Sequence, residues 1–441
     1  MIFNPKLAAF RLTEPMPTHI LRDYSEVVMN PCFRFRRKLA LLAASVFLLS
    51  LAAAAQDISP PAPQRLTLHS AVLNEDRTIW VRTPSGYDRG TIAFSVLYLM
   101  DGPGHINEIG STIDFLVEHD RMPPLIVVGI ANTDRTRDLT PSHSDQKKPD
   151  GTIANPTSGG GDRFLDFIQT ELIPEVEKRY RTSCYRVFAG HSLGGLMAIH
   201  ALITRPDLFN AYIAVSPSLQ WNDKKTLHQA QEFFATRAQL GKTLFFSLGN
   251  EGNTDNPMGQ AFDQLRQTLA AKAPKDFHWD SARYPDEDHG STVLRAHYAG
   301  LRTVFAGWQV PREPDDGLPG GGLAGVEKHY HDLSQQYGCA VPMPENVLNS
   351  LGYQLLVLNK LDEAMAVFQR NVELYPGSAN VYDSLGDGYE AAGKLDRAMQ
   401  NVEKAVAVGS KTGDKDLDQY RAHLKRVVAA KAAADKAAGP K

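Results

Sequence analysis

A serine flanked by glycines stands at Gly190-His191-Ser192-Leu193-Gly194, inside "YRVFAGHSLGGLMA". The run before it, "YRVFA", is short, apolar and aromatic, the pattern of a buried strand. The run after it, "LGGLMAIHALI", reads as a helix that starts at once. A chain turning from strand to helix in so few residues is crowded, and Gly190 and Gly194 relieve the crowding by lacking Cβ. Ser192 is left at the apex, its hydroxyl pushed out above the sheet edge, as in a nucleophile elbow. A serine hydroxyl is a poor nucleophile at neutral pH. It needs a base within hydrogen-bond reach and an acid that orients the base.

In the elbow architecture the chain order is Ser, then Asp or Glu, then His. His200 sits inside the helix that Ser192 opens and cannot curl back. His228 and His297 fall in helical patterns, and His278 in a strand-like one. His289, in "PDEDHGST" after the last strand pattern, is the candidate base. For the acid, "TLFFSLGNEGNTDN" places Glu251 just past a strand, with Asp255 four residues on as the alternative. Asp286, Glu287 and Asp288 adjoin His289 in sequence, and such neighbours usually point elsewhere. The oxyanion of acyl transfer needs backbone N–H donors. Leu193, next after the nucleophile, is one. The other belongs to "DGPGHIN"; Pro103 has no N–H, which leaves Gly102, Gly104 or a neighbour, with Gly102 first.

These residues need a scaffold. From about residue 64 to 310, short apolar runs such as "RTIWVRTP", "FSVLYLM", "PLIVVGIA", "NAYIAVS" and "TLFFSL" alternate with helical patterns around Ile109–Glu118, Arg163–Tyr180, Leu193–Thr204, Lys224–Leu240, Pro257–Ala271 and Ser291–Ala306. That alternation means a mostly parallel sheet with helices on both faces. The first two strand patterns follow one another without a helix and form an antiparallel entry. "PREPDDGLPGGGLAG", 311–325, has no periodicity and reads as a linker.

Beyond it the composition turns helical and repeats. "NKLDEAM" from Asn359 returns as "GKLDRAM" from Gly393, an offset of 34 residues, and Leu351, Gly352, Ala364 and Phe368 match Leu385, Gly386, Ala398 and Val402 at the same offset. Flanking helical patterns at Val326–Tyr337 and Leu417–Ala430 cap the ends, or the array leans on the α/β domain. This period and these small-residue positions resemble tetratricopeptide repeats, and repeats of that kind imply a protein partner. The Ala/Lys tail from 433 frays.

Upstream, "MNPCFRFRRKLALLAASVFLLSLAAAAQDI" has a basic start (Arg34, Arg36, Arg37, Lys38), an apolar Leu39–Leu51 stretch and an A-x-A site at Ala53–Ala55, the form of a secretory signal peptide. The expected order is an over-extended start at 1–28, a signal peptide at 29–55, an α/β domain at 56–310, a linker at 311–325, a helical domain at 326–432 and a tail at 433–441. The mature protein is periplasmic or secreted and carries no stable membrane span. A net charge of −3 across 441 residues argues against nucleic acid as a partner. Cys32 falls in the removed segment, and Cys184 and Cys339 are too few to infer a bridge. No metal or cofactor motif is present: His329 and His331, two apart on a helix, face different ways, and "DKDLD" from Asp414 lacks the glycine and glutamate of a calcium loop.

"VLYLMDG", "NTDRTRDLTP", "GGGDRFLDFIQTELIPEVEKRY", "GHSLGG", "SPSLQW" and "DEDHGS" together resemble the esterase family of α/β-hydrolases that includes enterochelin-type esterases, across about 64–310. The resemblance implies an α/β-hydrolase fold joined to an all-α helical domain, Ser192 as nucleophile, His289 as base, and a carboxylic ester of siderophore or aryl type as substrate. Glu251 matches the acidic position, whose identity varies in this branch. The loop "DRTRDLTP" overhangs the same sheet edge, so Arg135 and Arg137 could grip an anionic ester; an Arg137–Asp138 loop brace is the other use. Trp221 could wall the acyl pocket or simply pack. An acyltransferase differs only in the acceptor, and an interaction protein built on a hydrolase platform is the reading from another class. Every candidate catalytic residue precedes the linker, so a chain cut near Gly320 is expected to keep a working hydrolase.

Overall fold

The computed structural model describes residues 62–438 apart from 86, 88–91 and 252–255. The expected signal peptide and the alternative acid Asp255 lie outside these residues. Eight strands form one sheet: β1 (Gln64–Ser70), β2 (Glu75–Arg82), β3 (Phe94–Leu99), β4 (Leu125–Ile130), β5 (Thr182–His191), β6 (Ala211–Val215), β7 (Thr243–Leu248) and β8 (His278–Arg283). The spatial order is β1-β2-β4-β3-β5-β6-β7-β8. β1 and β2 pair antiparallel, β2 pairs antiparallel with β4, and all later pairs are parallel. The central strands are covered on both faces, and their sequences say so: all six residues of "LIVVGI" in β4 and all six of "TLFFSL" in β7 are buried.

The covering helices are α1 (Gly102–Glu118), α2 (Arg135–Leu139), α3, α4 (Leu193–Thr204), α5 (Trp221–Thr236), α6 (Pro257–Lys272) and α7 (Thr292–Val304). α3 is composite: Gly161–Phe167 and Ile173–Arg179 are α-helical and Ile168–Leu172 between them is a π turn. Two expectations need correction. α1 starts at Gly102 and not near Ile109, because Pro103 falls in the first turn, where a missing N–H costs nothing. The loop "DRTRDL" contains the short helix α2, whose cap Asp134 accepts a hydrogen bond from the Arg137 N–H at 3.0 Å.

The C-terminal part contains α8 (Gly322–Tyr337), α9 (Glu345–Val357), α10 (Leu361–Leu374), α11 (Ala379–Ala391), α12 (Leu395–Thr412) and α13 (Leu417–Ala438). α9 and α11 begin 34 residues apart, as do α10 and α12. The matched glycines have one physical cause. A Cβ on Gly352 would lie 2.4 Å from the Phe368 ring, and a Cβ on Gly386 2.5 Å from a Val402 methyl, so each repeat packs its two helices through the same pair of positions.

The segment 311–325 is not a free spacer. Leu318 is buried, Arg312 bridges to Pro319, and α8 has already begun by Gly322. One apolar core runs from β3 and β5 through Phe305 and Trp308 to Tyr330, Tyr337, Leu348 and Phe368. Cys184 at the start of β5 and Cys339 after α8 form a disulfide that the cysteine count alone did not suggest.

Candidate active site

The sheet's parallel strands all end at one edge, and the candidate residues gather there. β5 runs to His191, and Ser192 follows with φ 59° and ψ −114°, a backbone that non-glycine residues rarely adopt. The turn is held on both sides: the Ser192 N–H donates to the Val215 carbonyl at 2.9 Å, and its carbonyl accepts from the Leu196 N–H at 3.0 Å and the Ser218 N–H at 3.1 Å. A Cβ on Gly190 would sit 2.5 Å from the Gly194 backbone, so the elbow closes only with glycine there. The Ser192 hydroxyl lies 3.3 Å from that of Ser218, a buried residue.

Past the end of β7, the Glu251 carboxylate presents both oxygens to His289 Nδ1 at 2.9 Å. Glu251 is nearly buried, whereas the His289 side chain is 39% exposed. The two meet because the loops after β7 and β8 are tied together: the Asn250 N–H donates to the Glu287 carbonyl at 2.6 Å. With Nδ1 held by the carboxylate, Nε2 is the ring nitrogen left to face substrate. The His289 ring packs on His191, with centroids 4.5 Å apart. Burial first, then the nearby His289 and His105, hold the His191 imidazole down at about 4. His191 therefore stays neutral at physiological pH and adds no charge beside the base.

After β3, Asp101 takes a left-handed turn (φ 54°) and α1 opens. The Gly104 N–H already donates to the Asp101 carbonyl at 2.9 Å, which removes Gly104 as a second anion donor. Gly102 is the first residue of α1, where a helix N–H has no partner within the helix. Asp101 also fixes Arg135, which reaches its carboxylate at 2.8 and 3.0 Å and donates to the His191 carbonyl at 3.2 Å. Arg135 thus lies against the elbow, 38% exposed.

Arg137 is placed differently. Its guanidinium is taken up by Glu75 and Asp138, with Glu75 also held by Arg77 and Thr133. The Arg137 hydrogen bond, ahead of the others, pulls the Glu75 carboxyl down to about 2. This is the loop brace, not a free anion grip. Trp221 donates from Nε1 to the Ser142 carbonyl at 3.1 Å, and Asn222 donates to Ser142 Oγ and the His143 carbonyl, both at 2.9 Å. Asn222, Asp223 and Lys224 all have positive φ, so regular helix begins only after them. Trp221 and this left-handed turn pin the 142–143 loop beside the Ser218 turn.

Ser218, His191 and Asp101 were not singled out from the sequence. "SPSLQW", "GHSLGG" and "LMDG" contain them, but their spacing alone assigns them no chemistry. Among the described residues one group, Asp383, Asp387 and His423, brings carboxylate and imidazole atoms within 4.8 Å of one another. Arg426 already pairs with Asp387 at 3.0 Å and with Glu390 at 2.8 Å, so the cluster carries its own cation.

The family described as "Putative esterase" matches residues 70–288. The siderophore enterobactin esterase of Emericella nidulans is 35% identical over 245 residues, 47% of this chain and 80% of that protein. The ferri-bacillibactin esterase BesA of Bacillus subtilis is 29% identical over 243 residues, 50% of this chain and 82% of that protein. The crystal structure of an IroE-like serine hydrolase from Shewanella oneidensis matches with a TM-score of 0.61 at 30% identity, covering 71% of this chain and 98% of that one. Since these matches span most of each relative and run through the strands that carry the elbow, the chain belongs to this esterase family and is a carboxylic ester hydrolase with an α/β-hydrolase fold.

Proposed function

We propose that the protein is a secreted serine esterase that opens ester bonds of siderophores through an acyl-enzyme. The observation that carries this reading is the Glu251–His289 pair at the sheet edge where the strained Ser192 elbow ends. Ser192 Oγ attacks the ester carbonyl carbon and its proton passes to His289 Nε2. Glu251 holds the imidazole by Nδ1 and stabilises the imidazolium that forms. The N–H groups of Leu193 and Gly102 receive the oxyanion. Collapse breaks the ester C–O bond, and His289 returns the proton to the departing alcohol. Water, deprotonated by His289, then attacks the acyl group and releases the acid and Ser192. Arg135, beside the elbow, is ion-paired with Asp101 and braces the His191 carbonyl, so it supports the elbow and offers substrate no unpaired charge. The names of the matched relatives supply the substrate class.

The basic and apolar leader and the Cys184–Cys339 bridge both favour an oxidising compartment. No helix among the described residues is long and apolar enough to cross a membrane. The 34-residue spacing of α9–α10 and α11–α12 supports the tetratricopeptide reading of the C-terminal helices, and with it a protein partner.

The test is a panel of p-nitrophenyl, feruloyl and catecholate-siderophore esters with wild type and Ser192→Ala. The variant should lose on the order of 10⁶ in kcat while keeping its thermal midpoint. An organophosphonate should label wild type once, at Ser192. Activity surviving in the alanine variant overturns the nucleophile, and turnover of simple esters without any siderophore overturns the substrate class.

A further inference from the structure

Two strained turns meet at the nucleophile. Ser192 has φ 59°, and Ser216, just past the end of β6, has φ 38°, both in the left-handed region that a residue with a Cβ enters only at a cost. Such a conformation persists where its surroundings fix it. The Ser216 N–H donates to the Ser247 carbonyl at 3.0 Å, and its hydroxyl accepts from the Gly249 N–H at 3.1 Å. Pro217 then locks the next φ, and the Trp221 N–H donates to the Ser218 carbonyl at 3.0 Å. Gly195 allows the close approach of the two turns: a Cβ there would lie 2.9 Å from the Val215 carbonyl oxygen and 3.0 Å from Pro217 Cα.

This framework brings one side chain to the reacting atom. The Ser218 N–H donates to the Ser192 carbonyl at 3.1 Å, and Ser218 Oγ stands 3.3 Å from Ser192 Oγ. Ser218 is 5% exposed, and among the described residues its hydroxyl has no partner but Ser192. Packing alone would be served by alanine. The contact is longer than the O–H···O distance of about 2.7–2.8 Å in a well-made bond. It is therefore weak in the resting enzyme and can tighten as negative charge builds on Ser192 Oγ. An interaction stronger in the transition state than in the ground state lowers the barrier, where a uniform one would only tighten binding.

We propose that Ser218 is a further catalytic residue, whose hydroxyl donates to Ser192 Oγ while that atom gives up its proton. The inference rests on Ser192 being the nucleophile. With Ser218 as donor, the Ser192 proton is left for His289 Nε2 and an Oγ lone pair is directed at the ester carbonyl carbon. Ser218 keeps its own proton throughout. As the Oγ–C bond forms, the Ser192 proton passes to His289 and the carbonyl π pair moves onto the oxyanion. In deacylation the same donor steadies Ser192 Oγ as it leaves the acyl carbon and takes its proton back from His289. Both half-reactions use the contact, so kcat depends on it and KM does not.

Ser218→Ala tests it in the full chain, with p-nitrophenyl butyrate as substrate and a p-nitrophenyl phosphonate as the label for Ser192. A hydrogen bond to a developing charge exceeds a neutral one by an amount worth about tenfold in rate. The kcat and the second-order rate of Ser192 phosphonylation should each fall about tenfold, with KM and the thermal midpoint unchanged. Loosened packing in the turn would instead raise KM or lower the midpoint. Full rates in Ser218→Ala, or a loss carried by KM or by the midpoint, overturn the proposal. Ser192→Ala keeps two failures apart. If it is inactive and wild type is labelled at Ser192 while Ser218→Ala runs at full rate, only the role of Ser218 falls. If Ser192→Ala still turns the ester over, the nucleophile assignment falls and the role of Ser218 with it.

Discussion

Glu251 reaches His289 with both carboxylate oxygens, and no other acid among the described residues is hydrogen-bonded to that ring. Such an acid fixes the tautomer and steadies the imidazolium, and its loss elsewhere costs about 10⁴ in kcat. Glu251→Gln should therefore cut kcat by about 10³–10⁴ with KM nearly unchanged, as steady-state kinetics on any turned-over ester would show. A loss below about tenfold, only ~1.4 kcal/mol of barrier, would mean the site runs as a Ser192–His289 dyad. A second consequence concerns protons. His191 touches His289 but is held neutral down to about pH 4 by burial and by its imidazole neighbours. The acid limb of the kcat/KM profile should then carry no proton from His191 above about pH 4. A two-proton slope above that pH would show that His191 titrates there.

At the scale of elements, the period of the sequence was a good guide wherever packing sets the period. The strand patterns quoted from the sequence became strands, and α3, α4, α6 and α7 lie where apolar spacing put them. It failed where local chemistry overrides the period. "DGPGHIN" looks like a loop because Pro103 and two glycines are read as breakers, yet proline suits a first helical turn. The left-handed Asn222–Lys224 turn has no glycine to announce it and is set by tertiary hydrogen bonds to Ser142 and His143. Ser192, Glu251 and His289 were legible because each follows a strand. Asp101 and Ser218 were not, since their roles arise from what the fold lays beside them. In the helical part, α13 offers a further test. Its His423 is packed against Asp383, Asp387 and Glu390 of α11, with Arg426 alongside. Burial lowers the pKa of His423, but the Asp383 hydrogen bond and the surrounding carboxylates outweigh it and raise the net value. A raised folded-state value means the stabilisation is complete below the unfolded pKa near 6.5 and is lost as pH rises through the folded one. Thermal scans from about pH 5 to about pH 9 should show a falling midpoint that His423→Gln flattens. A rising midpoint in wild type would reverse the sign of the coupling.

The described residues between 62 and 438 pack as one compact unit, and this changes what a cut should do. Read from the sequence, 311–325 was a linker and the hydrolase ended before it. In the fold, Tyr337 of α8 packs on Tyr185 with centroids 4.8 Å apart and on Phe305 at 6.2 Å, and Tyr330 packs edge-on to Trp308 at 5.5 Å. Ending the chain at Gly320 strips cover from Tyr185, Phe305 and Trp308 and removes both helical tyrosines. At roughly 2 kcal/mol for each large side chain, the loss is about 6–10 kcal/mol, comparable with the whole stability of about 5–15 kcal/mol expected for a domain. The Cys184–Cys339 bridge goes with it. That bridge spans 155 residues, and in the chain-entropy account a loop of such length gives up to about 5 kcal/mol. The truncated chain should accordingly aggregate or unfold at growth temperature even though Ser192, Glu251 and His289 are all retained. Cys184→Ser in the full chain should instead stay folded and active, with an unfolding free energy lower by about 2–5 kcal/mol in urea titration. The comparison separates two causes. A truncated protein that is monomeric and melts within a few degrees of the full chain would show that the shared aromatic core contributes little. A Cys184→Ser protein as unstable as the truncation would shift the weight from packing to the cross-link.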